Sequence, residues 1–226
     1  MKDKTTLLNW ILAISLSIIL FSCHKEPTKF QWQPAISAPK FYPVAGLADF
    51  GNAGHRSGTA FDNGWGDQYG GVVSGSKYKE VPKEVYISYF SVVDGLEYSG
   101  KVQLPYDRLL QLFREQTVEK NPTIRLKVGM APGGWIRVWF YSSKDGNIEI
   151  AKAQLKGIRE DPTVGIALRS KTFEYWGGTY TYWQHHGIPY EAWANNEKEY
   201  TLYFDLEKSN KTQIGMSYVS LDGTYY

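Results

Sequence analysis

The chain has 226 residues, with 25 Lys and Arg against 23 Asp and Glu for a net charge of +2, a balance that leaves no electrostatic footprint for nucleic acid or for an anionic membrane surface. That length suits one domain able to bury its own core, or at most two small ones. The single cysteine, Cys23, excludes a disulfide framework, and aromatic residues at 15% of the chain, 17 Tyr and 8 Trp among them, fit either β-rich packing or a stacking surface.

At the start, Lys2 and Lys4 precede an apolar run over 7–21, and Ser22 is a small residue just before Cys23. These are the three parts of a secretory signal, with the cut expected between Ser22 and Cys23. The arrangement resembles the bacterial lipoprotein lipobox, with Leu20, Ser22 and Cys23 in the matching places and Phe21 bulkier than the residue usual there. That resemblance implies alkylation of the Cys23 thiolate by lipid and further acylation of the freed amino group. One chain binds only reversibly at about 0.8 kcal/mol per buried methylene, so several chains make a durable anchor. A spanning helix is the weaker reading, because the run falls short of roughly 20 residues and Asn9, Ser15 and Ser17 interrupt it. Pro27, Pro34, Pro39 and Pro43 then break helices and remove strand donors, which predicts an extended tether. The expected division is a signal peptide over 1–22, a lipidated cysteine and tether over 23–43, and one β-rich globular domain over 44–226.

Residues 45–76 are dense in glycine with Asp, Asn and Ser, so turn chemistry predominates there. Strand patterns begin at 84–93 (EVYISYFSVV) and 96–104 (LEYSGKVQL), on either side of Asp94-Gly95, the two-residue signal of a type I′ hairpin. Next, Tyr106, Leu109, Leu110 and Phe113 recur at three and four, predicting an amphipathic helix begun by Pro105 and Asp107 and closed before Asn121-Pro122. Strands follow at 123–130, 135–142 and 148–155, the last two forming a second hairpin. In the 135–142 strand Ile136, Val138 and Phe140 share one face and Trp135, Arg137, Trp139 and Tyr141 the other, so either a central strand or a binding face is consistent. Residues 172–193 are the most aromatic stretch and show no clean period, and 199–207 with 212–221 predict a third hairpin. The fold class expected is α+β, predominantly antiparallel β, with three hairpins in a sandwich or curved sheet and one packed helix.

No hydrolase, zinc or nucleotide signature occurs, and no cofactor is expected. The glycine-rich run from Gly64 to Gly71 lacks the strand and helix of a phosphate loop. Asp62, Asn63 and Asp67 lack the spacing of a calcium loop, and His55 near Asp62 and Asp67 is a weak cluster. The best grouping is His185 and His186 with Glu174 and Glu191. Adjacent histidines on a strand face opposite ways, though a loop could bring both to one zinc. Around them Trp176, Tyr182, Trp183, Tyr190 and Trp193 are candidates for a partner-binding surface, either a sugar-stacking platform or a protein hot spot.

With the lipobox, the run from Pro82 to Ser91, the run YSGKVQLP ending at Pro105 and the segment Gly134-Trp135-Ile136-Arg137-Val138-Trp139 in view, the chain resembles an uncharacterised family of bacterial lipoproteins, a domain of unknown function of the DUF2931 type. The resemblance covers roughly residue 31 to the end. It implies an envelope location, with the outer membrane favoured and the facing side open, and supplies no catalytic residues. The expectation is a lipid-anchored module that binds a protein or glycan partner, toxin immunity being one form of it. The alternative is an envelope hydrolase with a His/carboxylate or metal site near residues 172–193.

Overall fold

Apolar residues at every second position along the predicted strands build two sheets that face each other. The structure, a computed structural model, describes residues 27–69, 76–116, 123–159 and 172–194. The four-stranded sheet runs β10 (Gly146–Gln154), β9 (Trp135–Ser142), β8 (Ile124–Met130) and β2 (Gln33–Ser37), antiparallel except for the parallel β2–β8 pair. The five-stranded sheet runs β11 (Gly157–Ile158), β7 (Leu96–Gln103), β6 (Glu84–Ser91), β3 (Val44–Asp49) and β4 (His55–Phe61), antiparallel throughout. β1 (Lys29–Gln31) pairs separately with β5 (Tyr78–Glu80). The fold is α+β and predominantly antiparallel β.

Leu126, Val128, Ile136, Val138 and Phe140 from one sheet and Val44, Ala48, Val85 and Ile87 from the other are buried in one continuous cluster. Each such side chain contributes about 1.5–3 kcal/mol by leaving water. The predicted helix is α1 (Tyr106–Gln116), with Leu109 and Phe113 buried at the predicted spacing and Asp107 in its first turn. Pro105 precedes it and its carbonyl accepts the Leu109 N–H at 2.9 Å, which starts the hydrogen-bond ladder. Phe113 seats α1 in the core: its ring lies 5.0 Å from that of Phe30 and 5.1 Å, edge-on, from that of Phe140.

The tether expected to reach Pro43 is corrected by that contact, because Lys29–Gln31 is already a strand of the domain. Phe30, Trp32, Ile36, Ala38 and Tyr42 are all core residues. Pro34 is tolerated in β2 because β2 is the edge strand of its sheet, with β8 on one side and only the isolated Ile36–Tyr69 bridge on the other among the described residues, so no ladder donor is needed there. The glycine-dense segment likewise holds two strands rather than turns alone. Gly46 of β3 is required by packing, since a Cβ there would overlap the backbone and Cβ of Tyr89 across the strand pair. In β4 the extra residue of a bulge opposite Ala45 places Ala60 at φ 52°.

Two of the predicted hairpins are present as β6–β7 and β9–β10, and β3–β4 is a further one. The first has a four-residue loop rather than a type I′ turn: Ser91 pairs with Leu96, and Gly95 at φ 67° donates its N–H to the Ser91 carbonyl at 2.9 Å. The third predicted hairpin, over 199–221, lies outside the described residues. Among the described residues no helix is long and apolar enough to cross a membrane.

Candidate functional site

The outer face of the four-stranded sheet is covered by three short helices, α2 (Phe173–Trp176), α3 (Gly178–His186) and α4 (Tyr190–Ala194). Gly177 at φ 55° and Gly187 at φ 65° allow the breaks between them. The stretch shows no single period because its inward rings pack on the sheet while others point away. Trp183 and Trp193 turn inward and join Tyr42, Trp65 and Trp139 in a second core cluster. Trp65 meets Trp139 edge-on at 5.2 Å, and Trp193 meets Tyr42 the same way at 5.1 Å.

Polar groups fix this cap from below. Arg137, 2% exposed on β9, pairs through Nε with Glu149 Oε2 at 3.1 Å and donates to the Trp193 carbonyl at 2.8 Å. Tyr42 Oη donates to the Gly187 carbonyl at 2.8 Å, and Trp183 Nε1 donates to the Phe41 carbonyl. Phe41 itself stands at φ 67°, in the left-handed region that a bulky side chain seldom occupies. Its N–H donates to Asp62 Oδ2 at 3.1 Å, and its ring stacks on Tyr182 at 4.2 Å. His186 stacks on the same tyrosine, also at 4.2 Å. Burial pushes the Tyr182 and Tyr42 hydroxyls above the usual tyrosine range, so both remain neutral donors at ordinary pH.

The five aromatic candidates therefore separate. Trp183 and Trp193 are core residues and offer no surface, because each closes the layer between cap and sheet. Trp176 and Tyr182 are half-buried, and Tyr182 has stacked neighbours in Phe41 and His186, which opposes a sugar platform on that ring. Tyr190 is 38% exposed, and Tyr175, outside the predicted set, is 49% exposed.

His185 and His186 are exposed, but they sit on α3 rather than on a strand or loop. Adjacent helical positions point in different directions, so the pair does not converge on one zinc. Glu174 and Glu191 are exposed nearby, and no group of three His, Cys, Asp or Glu able to hold a metal is found among the described residues. His55, Asp62 and Asp67 are not brought together as a site: His55 is exposed on β4, while Asp62 and Asn63 accept backbone N–H groups of Phe41 and Ala38. Burial raises the Asp62 carboxyl, with Lys40 acting against the shift. Cys23 lies outside the described residues.

Two features escaped the sequence reading. Lys127 points from β8 to the outer face, donates to the Gly66 carbonyl at 2.8 Å and lies 4.1 Å from the centre of the Tyr141 ring. Its place between two strand-pattern residues, Leu126 and Val128, was the available signal. The other is the outer face of the five-stranded sheet, where register sets His55, Asp49, Tyr86 and Lys101 side by side on four neighbouring strands. Glycine concealed β3 and β4, so that row could not be assembled.

A family model described as a protein of unknown function (DUF2931) matches residues 22–191. The chain belongs to that family. The matched span takes in both sheets, α1 and the cap as far as the first residues of α4. No curated protein and no solved structure matches the chain.

Proposed function

We propose that this DUF2931 chain is a lipid-anchored module of the bacterial cell envelope that binds a protein partner through its aromatic cap. The observation that carries the reading is the division of labour in the cap: Trp183 and Trp193 anchor it, while Tyr175 at 49% and Tyr190 at 38% exposure stay available. Tyrosines held on a firmly packed base lose little conformational freedom on binding, and they are enriched among energetic anchors of protein interfaces. A protein partner is favoured over a glycan at this face because Tyr182 already carries stacked rings. Immunity to an envelope-directed toxin is one form of such a role. A hydrolase has less support, since His185 and His186 diverge on α3.

Photo-crosslinking in cells tests the cap. A benzophenone amino acid at position 175 or 190 is expected to trap one discrete protein adduct, and the same group at Ser99, exposed on β7, is not. Tyr175→Ala is expected to reduce the adduct formed from position 190. Equal trapping from all three positions, or none from the cap, would remove the proposal.

A further inference from the structure

The five-stranded sheet turns its apolar side chains to the core, and among the described residues no helix covers its outer face as the cap covers the other sheet. Outward along β6 come Glu84, Tyr86 and Ser88, between the buried Val85 and Ile87. Register places Asp49 of β3 opposite Tyr86 on one side and Lys101 of β7 opposite it on the other. Cross-strand neighbours lie about 4.5–5.5 Å apart, so the three side chains form one continuous row.

Beside this row is a cleft of about 290 Å³ lined by Asp49, Gly51, Lys83, Glu84, Tyr86 and Lys101. Tyr86 is 42% exposed, and no aromatic ring is stacked on it among the described residues. Among the described residues its phenol ring is therefore an exposed apolar surface, in a frame that joins Phe50 and Pro82 to charged groups. The frame is balanced in charge, two carboxylates against two ammonium groups. Lys101 Nζ contacts Glu84 Oε1 at 2.6 Å, Gln103 Nε2 donates to Glu84 Oε2 at 3.1 Å, and Asp49 Oδ1 accepts the Gly51 N–H at 2.8 Å. The Lys101 and Gln103 bonds hold the Glu84 carboxyl below the usual range, keeping it an ionised acceptor. Lys83 Nζ lies 5.4 Å from the centre of the Tyr106 ring.

We propose that this cleft binds a neutral carbohydrate, with one sugar ring lying against Tyr86. The chemistry of the lining recognises that class. A pyranose has an apolar C–H face that packs on an aromatic ring, and hydroxyls that donate to carboxylates and accept from ammonium groups. Asp49 and Glu84 supply acceptors, and Lys83 and Lys101 supply donors. Opposed charges within the cleft leave no net attraction for an acidic ligand. The volume is at the small end of ligand sites, which suits one or two sugar units. This site is independent of the cap, since the outer faces of the two sheets look away from each other.

The test is titration of the purified full chain, in a detergent without a sugar headgroup, with maltose, cellobiose and diacetylchitobiose up to about 10 mM, a range that detects the weak affinity of small open sites. Expected is saturable binding of at least one disaccharide, weakened about two- to tenfold in Tyr86→Ala, retained in Tyr86→Phe and reduced in Glu84→Gln. Tyr190→Ala, on the cap, is expected to bind as the parent does. Circular dichroism checks that each variant folds, and Tyr86→Phe preserves the stacking ring where Tyr86→Ala removes it. Absence of saturation with all three sugars, equal affinity in Tyr86→Ala, or trapping of a polypeptide by a crosslinker at position 86 would overturn the proposal.

Discussion

Lys127 shows what burial does to a cation in this sheet. Its side chain is 5% exposed, and burial brings its amine down to about 8, with Asp67 opposing the shift and Arg125 adding to it. In the unfolded chain the amine keeps the ordinary lysine value, about 10.4. Between these values the unfolded state binds more protons than the folded state, so stability rises with pH as the folded amine becomes neutral. Denaturant unfolding of the parent and of Lys127→Met should therefore show a stability difference that moves in favour of the parent from about pH 8 to about pH 10. A difference constant across that window would mean that the amine titrates as an exposed lysine does. Lys79 is lowered by burial in the same sense, and it is common to both proteins. Phe41, a bulky residue at φ 67°, persists there because its ring, carbonyl and N–H all have partners.

Among the elements, the cap is held to the rest by Trp183 and Trp193, by the stack of Tyr182 on Phe41 and by a set of hydrogen bonds. Trp193→Ala removes a fully buried ring and is expected to cost about 3–5 kcal/mol locally. Hydrogen exchange should then show lost protection over 178–194 while β6, β8 and β9 keep theirs. Loss of protection in cap and sheets alike would show that the two unfold as one unit. The strands β6 to β10 and α1 were legible because their signals involve residues two to four apart. β3 and β4 were not, because Gly46 and Gly58 answer to Tyr89 and Tyr69 rather than to strand propensity. The helical form of 178–186 was hidden for a related reason. Its rings serve two environments, so no apolar stripe stands out.

For the molecule as a whole, the anchor proposed at Cys23 and the first described strand, at Lys29, are separated in sequence by residues 24–28. Five residues span at most about 18 Å when extended, so the anchored domain would sit close to the bilayer. Cys23→Ala is expected to abolish labelling by radioactive palmitate and to release the protein from the membrane fraction. Unchanged labelling and fractionation would refute the anchor. The candidate surfaces were only partly legible at this scale: aromatic abundance pointed to 172–193, yet two of those tryptophans are core, and the open tyrosine at position 86 lay in an ordinary strand pattern.

The sequence by itself determined the strand-rich class, the two hairpins joined through α1, and which face of β9 is aliphatic, because each depends on short-range alternation or helical period. Only the tertiary structure decided that β2 runs parallel to β8, that Phe30 packs on α1, and that the cap is bonded to Phe41 and Tyr42 across 142 and 145 residues of chain. A local pattern states that a face is apolar and must be covered. What covers it is settled by burial over the whole chain, where residues distant in sequence compete for the same surface.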